Sequence, residues 1–234
     1  MTAVDERISQ AERLYEQGVF GGDHAAFAEA DRNLDAVEAD LALARGRIAH
    51  ARFVAQQVEP EEELALFERA GAIYERLGDV RGQAEALFWT GAYHQAVRGD
   101  EGVARPILER ALDLARSVGD DLTASYALRH LGILDHKAGR LREARAHLEE
   151  STRLRDEYDF APGVGANHVA LARIAAEEGR RKDAAKLLQS AGVLANDTDS
   201  YGLMDWIIDA RKELGIGWVA APRPGAGEAP RSGA

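Results

Sequence analysis

No cysteine occurs among the 234 residues. Disulfides, thiolate catalysis and thiolate-held zinc are excluded from the start. No apolar run reaches the roughly 18 residues that a membrane helix needs, so no membrane span is expected, and the net charge of −11 disfavours an anionic membrane surface as a partner. The opening residues, MTAVDERISQAERL, lack a basic segment followed by an apolar one, so no signal peptide is expected and the location expected is cytoplasmic. No stretch alternates Val, Ile or Thr with polar residues over the length of a strand. Gly163 and Gly165 open a helical stretch with no strand before it, so a dinucleotide-binding loop fails. His50, His94, His130, His136 and His168 never fall at the His-x-x-x-His spacing of a helical zinc site, so no metal and no cofactor is expected. The formal net charge is −11, which argues against nucleic acid as a partner, because phosphate binding needs a basic footprint.

What is present is helix. Alanine, leucine, glutamate and arginine dominate, and all are good helix formers. Turn signals fall at Gly78-Asp79, Gly99-Asp100, Gly119-Asp120, Gly139-Arg140 and Gly179-Arg180, with Tyr158-Asp159 where one is missing. Their spacing is 20 or 21 residues, doubled where Tyr158-Asp159 intervenes. A glycine just past a helix takes the left-handed conformation without a Cβ clash, and a following Asp can cap the next helix. Two helices therefore make a unit of about 40 residues, a period that signals a solenoid. Residues 121–160 give the clearest unit, between similar blocks at 80–120 and 161–200.

Counting from Ser125, that unit holds Leu128, Leu131, Gly132, Gly139, Ala144, Leu148 and Ser151 at offsets 4, 7, 8, 15, 20, 24 and 27. The next block repeats the pattern with Leu171, Ala172, Gly179, Ala184, Leu188 and Ala191. The preceding block matches at Leu87 and Gly91, and then Gly99 arrives one residue late. The pattern resembles the tetratricopeptide repeat in a long-period, bacterial-type form, over roughly residues 41–200, without the proline that often closes a unit. The resemblance implies an all-α fold, a right-handed α-α superhelix of about five hairpins plus a capping helix. It also implies a non-catalytic scaffold or adaptor that holds a peptide or partner segment in its concave groove.

Three regions are expected: N-terminal helices over 1–40, a repeat domain over 41–215 with its own cap, and a disordered Pro/Gly/Ala tail over 216–234. A first helix covers 4–17. Residues 24–57 are expected to bend between 32 and 36, where the hairpin register calls for a reversal. The helix 41–57 pairs with 60–77, whose first turn holds Pro60 and then Glu61, Glu62 and Glu63 at its positive end. A helix at 200–214 closes the array.

The resemblance places groove-facing residues at offsets 2, 5, 9 and 12. These are Arg45, Ile48 and Arg52, then Glu85, Phe88, Ala92 and Gln95, then Tyr126, Arg129, Ile133 and His136, and finally Val169 and Arg173. The candidate binding set is Arg45, Arg52, Phe88, Gln95, Tyr126, Arg129, His136 and Arg173. Residues 41–57 carry three arginines and no acid. Arginine forks grip carboxylate or phosphate, so the partner expected is a protein or peptide segment of acidic character. The alternative is a small anionic ligand, sensed or turned over in an Arg/His/Tyr-lined pocket of the same groove. Against both stands plain ion pairing of Arg45 and Arg52 with Asp31, Asp35 or Glu38. Tyr126, Arg129, His130, Asp135 and His136 form the densest polar set, and a His beside an Asp can move protons. Asp135 nevertheless occupies an offset where this fold often packs a tyrosine, so a bond within the repeat is the plainer reading. Trp89 and Tyr93, four apart, are assigned to the hairpin core, which leaves Phe88 for the groove. Self-association as a homodimer, through a hairpin face or the C-terminal helix, is a third reading.

Overall fold

The structure, a computed structural model, describes residues 5–217. Among these there are ten helices and no strand: α1 (Glu6–Gly21), α2 (Ala25–Gln56), α3 (Glu63–Leu77), α4 (Val80–Ala96), α5 (Glu101–Ser117), α6 (Asp121–Lys137), α7 (Leu141–Glu157), α8 (Ala161–Glu177), α9 (Arg181–Asp197) and α10 (Tyr201–Leu214). The all-α hairpin architecture expected from the turn spacing is the one that forms. Asp79, Asp100 and Asp120 each cap a helix by accepting from a backbone N–H three residues on, as the Gly-Asp pairs suggested. Where the glycine is missing, Asp159 itself takes a left-handed φ of 52°. Of the tail expected over 216–234, residues 218–234 lie outside the described residues.

The expected bend between 32 and 36 is absent. α2 is one unbroken helix of 32 residues. It holds no proline, and its only glycine, Gly46, packs under a ring. Reversal occurs in the connections on either side. Two ion pairs tie the supposed bend to α3: Arg76 to Asp35 at 2.9 Å and Arg69 to Glu38 at 2.7 Å. The boundary expected between residues 40 and 41 falls inside this helix.

The chain divides into two compact units, Met1–Tyr158 and Asp159–Ala234. In the first, α1 lies on the N-terminal half of α2, and α3 through α7 stack in order. Its core is built from small residues facing large ones: a Cβ on Gly91 would lie 2.7 Å from Leu108, and one on Gly132 would lie 2.9 Å from Leu148. In the second unit α8 and α9 pair, and Leu203 and Ile207 of α10 seal their core. Arg181 donates to the carbonyls of Leu214 and Gly215 at 2.8 and 3.2 Å, which ends α10.

Candidate functional site

The glycines correct the register of the first hairpin. A Cβ on Gly46 would lie 2.4 Å from the Phe67 ring, just as Gly91 meets Leu108 and Gly132 meets Leu148. Gly46 is therefore the offset-8 residue. The face expected to hold Arg45, Ile48 and Arg52 instead holds Asp40, Leu43, Arg47 and His50. Arg47 pairs with Glu85 of α4 at 3.2 Å, and its guanidinium lies 5.7 Å from the centre of the Trp89 ring.

Phe88 is not a groove residue. It is 2 % exposed, stacked on Tyr126 and edge-on to Trp89 and His130. α4 and α6 approach closely enough that this offset is consumed by packing between first helices. Gln95 is buried as well: its Nε2 donates to the His130 carbonyl at 3.2 Å, and its Oε1 meets His130 Nδ1. With the amide nitrogen engaged at the carbonyl, Oε1 must accept, which fixes the Nδ1–H tautomer. Burial, then the charges of Arg129 and Arg155, push His130 down to about 3, so the ring is neutral at pH 7. Tyr126 is half-buried, with the Arg155 guanidinium 5.0 Å from its ring centre. Burial pushes Arg155 down to about 10, which leaves it charged. Trp89 and Tyr93 pack in the core as expected, and the Tyr93 hydroxyl donates to Glu59 at 2.8 Å.

Asp135 does not serve a proton-moving histidine on its own helix. It is 2 % exposed and accepts from Arg105 of α5 at 2.7 Å, from Arg140 at 2.8 and 3.0 Å, and from His147 of α7 at 2.8 Å. Burial pushes its carboxyl up, but the hydrogen bonds from Arg140, Arg105 and His147 outweigh that and hold it below the usual range. The cluster is a clasp within and between hairpins. Arg129 and His136 sit half-buried on α6. Arg173 belongs to the second unit and pairs with Glu213 at 3.0 Å.

Arg45 and Arg52 are a different case. Both are exposed, and neither has an ion pair or side-chain hydrogen bond among the described residues. Two of the three acids proposed to hold them are engaged elsewhere, Asp35 by Arg76 and Glu38 by Arg69, and no ion pair joins either arginine to Asp31 among the described residues. The two arginines line one groove of about 690 Å³ with Ile48, Pro60 and Leu66, and with Glu61 and Glu62 at its rim. The eight candidates therefore do not make one trough. Phe88, Gln95 and Tyr126 meet around His130, and Arg45 and Arg52 share this separate groove.

One buried acid escaped the sequence reading. Glu63, grouped there with its two neighbours, is fully buried, and its Oε1 lies 2.7 Å from His50 Nδ1. Its Oε2 has no hydrogen-bond partner. It stands four residues before Phe67, the ring that meets Gly46, as Ala104 stands before Leu108 and Ala144 before Leu148. A repeat aligned on its glycines would have exposed this oddity: an acid at an alanine position.

No group of three or more His, Asp or Glu residues suited to a metal occurs among the described residues. No described helix is long and apolar enough to cross a membrane. Compared with known proteins, residues 91–157 match the family model of the tetratricopeptide repeat. No curated protein matches the chain. Among solved structures, the chain is similar to the nearly identical TPR-like repeats of a putative kinesin light chain from Podosopora anserina, with 16% identity, a TM-score of 0.51, and 76% of this chain and 86% of that one covered. It is also similar to BtubC (BKLC) from P. vanneervenii, with 14% identity, a TM-score of 0.48, and 100% of both chains covered. The matched repeat lies on α4 to α7, where small residues receive the leucines of the next helix: residues 91–157 form a tetratricopeptide repeat, and the chain around it shares the fold of the first of these structures.

Proposed function

We propose that the chain is a non-catalytic interaction scaffold that takes a segment of a protein partner against the groove of Arg45, Ile48, Arg52 and Leu66. One observation carries the reading: two exposed arginines, both without a partner among the described residues, flank an apolar floor in an open groove of about 690 Å³. Arginine and aliphatic carbon together suit a protein segment, which supplies both carboxylates and apolar side chains. Protein partners are also what this repeat takes in general. The placement differs from the concave face that the family resemblance suggested, because Phe88 and Gln95 of that face are buried in packing. Glu61 and Glu62 at the rim favour a partner that presents both signs of charge over a purely acidic one.

The test is a photo-crosslinking residue at position 48 of the full chain, irradiated in the source cells. The expected result is a protein adduct that disappears when Arg45→Glu and Arg52→Glu are added. Crosslinker at Tyr201, which is 78 % exposed on α10, serves as the control. Absence of a protein adduct at 48, or an adduct indifferent to both arginines, overturns the reading. A small-molecule adduct there would transfer the site to the anionic-ligand alternative.

A further inference from the structure

Among the described residues, nothing covers the groove beside α2, which is a stacking face. In the hairpins that follow, the corresponding first helices are covered: α3 packs on α4, with Tyr74 over Gly82, and α5 packs on α6. Along α2 the same job falls to α1, whose Ala11 and Leu14 meet Ala26 and Ala30. α1 starts at Glu6, and Arg7 pairs with Asp40 at 2.6 Å, so its cover ends there. The stripe continues beyond it. Ile48 lies five whole turns past Ala30 on the same side, at 3.6 residues per turn. Leu41 and Ile48 are 50 % and 56 % exposed, with Arg45 and Arg52 interleaved between and beyond them.

We infer that the partner covering this face is a second copy of the chain, with the two α2 helices crossing antiparallel about a two-fold axis near Ile48. The inference rests on the scaffold reading and names its partner. Charge is the argument. Four charged side chains border the apolar floor: Arg45 and Arg52 from α2, and Glu61 and Glu62 from the connection to α3. None is paired within the chain among the described residues. A two-fold interface needs a patch that complements itself, and this one holds equal numbers of both signs around a hydrophobic centre. An acidic partner would leave the glutamates facing like charge, and a basic one would do the same to the arginines.

The crossing also places the charges. α2 ends at Gln56, so Glu61 and Glu62 stand at its C-terminal end. An antiparallel pair centred on Ile48 sets Ile48 against itself. It carries Arg45 of each copy level with residue 51 of the other, where Arg52 stands beside Glu61 and Glu62, so the two acids neutralise arginines that would otherwise repel across the seam. The uncovered length, residues 41–56, spans about 24 Å at 1.5 Å per residue, enough for an ordinary helix–helix seam. Affinity then comes from burying Ile48, Leu41 and Leu66, while the rim charges set orientation and exclude mismatched pairings.

Sedimentation velocity of the full chain over a concentration series tests this. Wild type is expected to shift from monomer to dimer. Arg45→Glu/Arg52→Glu makes the rim wholly acidic, and Glu61→Lys/Glu62→Lys makes it wholly basic. Each variant alone is expected to stay monomeric with unchanged helical circular dichroism, since all four side chains are exposed. Mixed together, the two are expected to sediment as a dimer, because only the mixed pair restores opposite charges. A wild type that stays monomeric throughout the series overturns the inference, and so does a dimer that survives in both variants. The crosslink at position 48 separates the two levels. An adduct to a different protein sinks the second copy and leaves the scaffold, whereas no protein adduct sinks both.

Discussion

Glu63 and Asp135 are both buried acids of the first unit, and they are satisfied to very different degrees. Asp135 receives four hydrogen bonds from two arginines and a histidine, drawn from α5, α7 and the turn before α7. Glu63 receives one, from His50, and its second oxygen is alone. Burying a carboxylate is costly unless it is paired and its lone pairs are used. Asp135 meets that condition and so works as a clasp between the second and third hairpins. Glu63 does not meet it, although its neighbours in the fold are the alanine positions of otherwise similar hairpins. The same chemical group thus holds the middle of the array together and burdens its edge.

The comparison breaks most visibly at Asp135. Asp135→Ala leaves Arg105, Arg140 and His147 without their common acceptor. Removing one partner of a buried ion pair costs about 3–5 kcal/mol. Arg105 and Arg140 are 29% and 46% exposed and can turn to water, so the low end applies, about 3 kcal/mol. For a chain of this size that lowers Tm by roughly 6–12 °C, readable by thermal denaturation at neutral pH. A loss below about 1 kcal/mol would mean that the arginines rather than the acid make the clasp.

The half-buried His130, bonded to buried Gln95, sharpens the contrast because neither member is charged at pH 7. The unfolded chain takes up a proton on this histidine near its ordinary value of 6.5, whereas the folded chain does so only near 3. The unfolded state therefore binds more protons between those values. This contribution to stability is complete above pH 6.5 and is lost as the pH falls toward 3. Its slope is at most about 1.4 kcal/mol per pH unit, the value for one proton. Urea unfolding of wild type and His130→Gln from pH 7 to pH 4.5 should differ by this slope. Asp135 adds its own loss only lower, as the pH falls through its depressed folded value, so the two windows are separable. Identical slopes in the two proteins would place the acid sensitivity elsewhere.

What the sequence disclosed, and what it hid, follows from geometry. The hairpin array was legible because tight helix crossings demand small residues at fixed offsets, and Gly91, Gly132 and Ala144 occupy them. The register of the first hairpin was not, because the connection between α2 and α3 is longer than its counterparts and α2 serves two partners in one helix. Gly46 held the answer, but only its packing under Phe67 distinguishes it from any other helical glycine. The offsets placed Phe88 toward a groove, and they carry no information on how closely α4 and α6 approach. Arg45 and Arg52 were named from repeat offsets in a register that Gly46 corrects, and their freedom depended in part on two other arginines, Arg69 and Arg76, taking Glu38 and Asp35. Glu61, Glu62 and Glu63 read alike in sequence, yet helix phase sends one of them inside.

That phase yields the smallest effect and the sharpest test of the opening contrast. Glu63→Ala removes a buried carboxylate with one idle oxygen and installs the residue that Ala104 and Ala144 represent in the hairpins alongside. It also removes the bond to His50 and a carboxylate from the first turn of α3, where negative charge contributes about 0.3–1 kcal/mol. The relief of desolvation opposes both losses. The net change in stability should stay within about 1 kcal/mol of zero, so Tm should move by no more than roughly 4 °C in either direction. The informative quantity is the difference from Asp135→Ala measured side by side. If Glu63→Ala costs as much as Asp135→Ala, the pair with His50 is fastening α3 to α2, and the first hairpin is clasped like the third. If it costs nothing, the fold tolerates Glu63 without needing it. His50, wedged edge-on against Trp89, would then hold its place through ring packing alone.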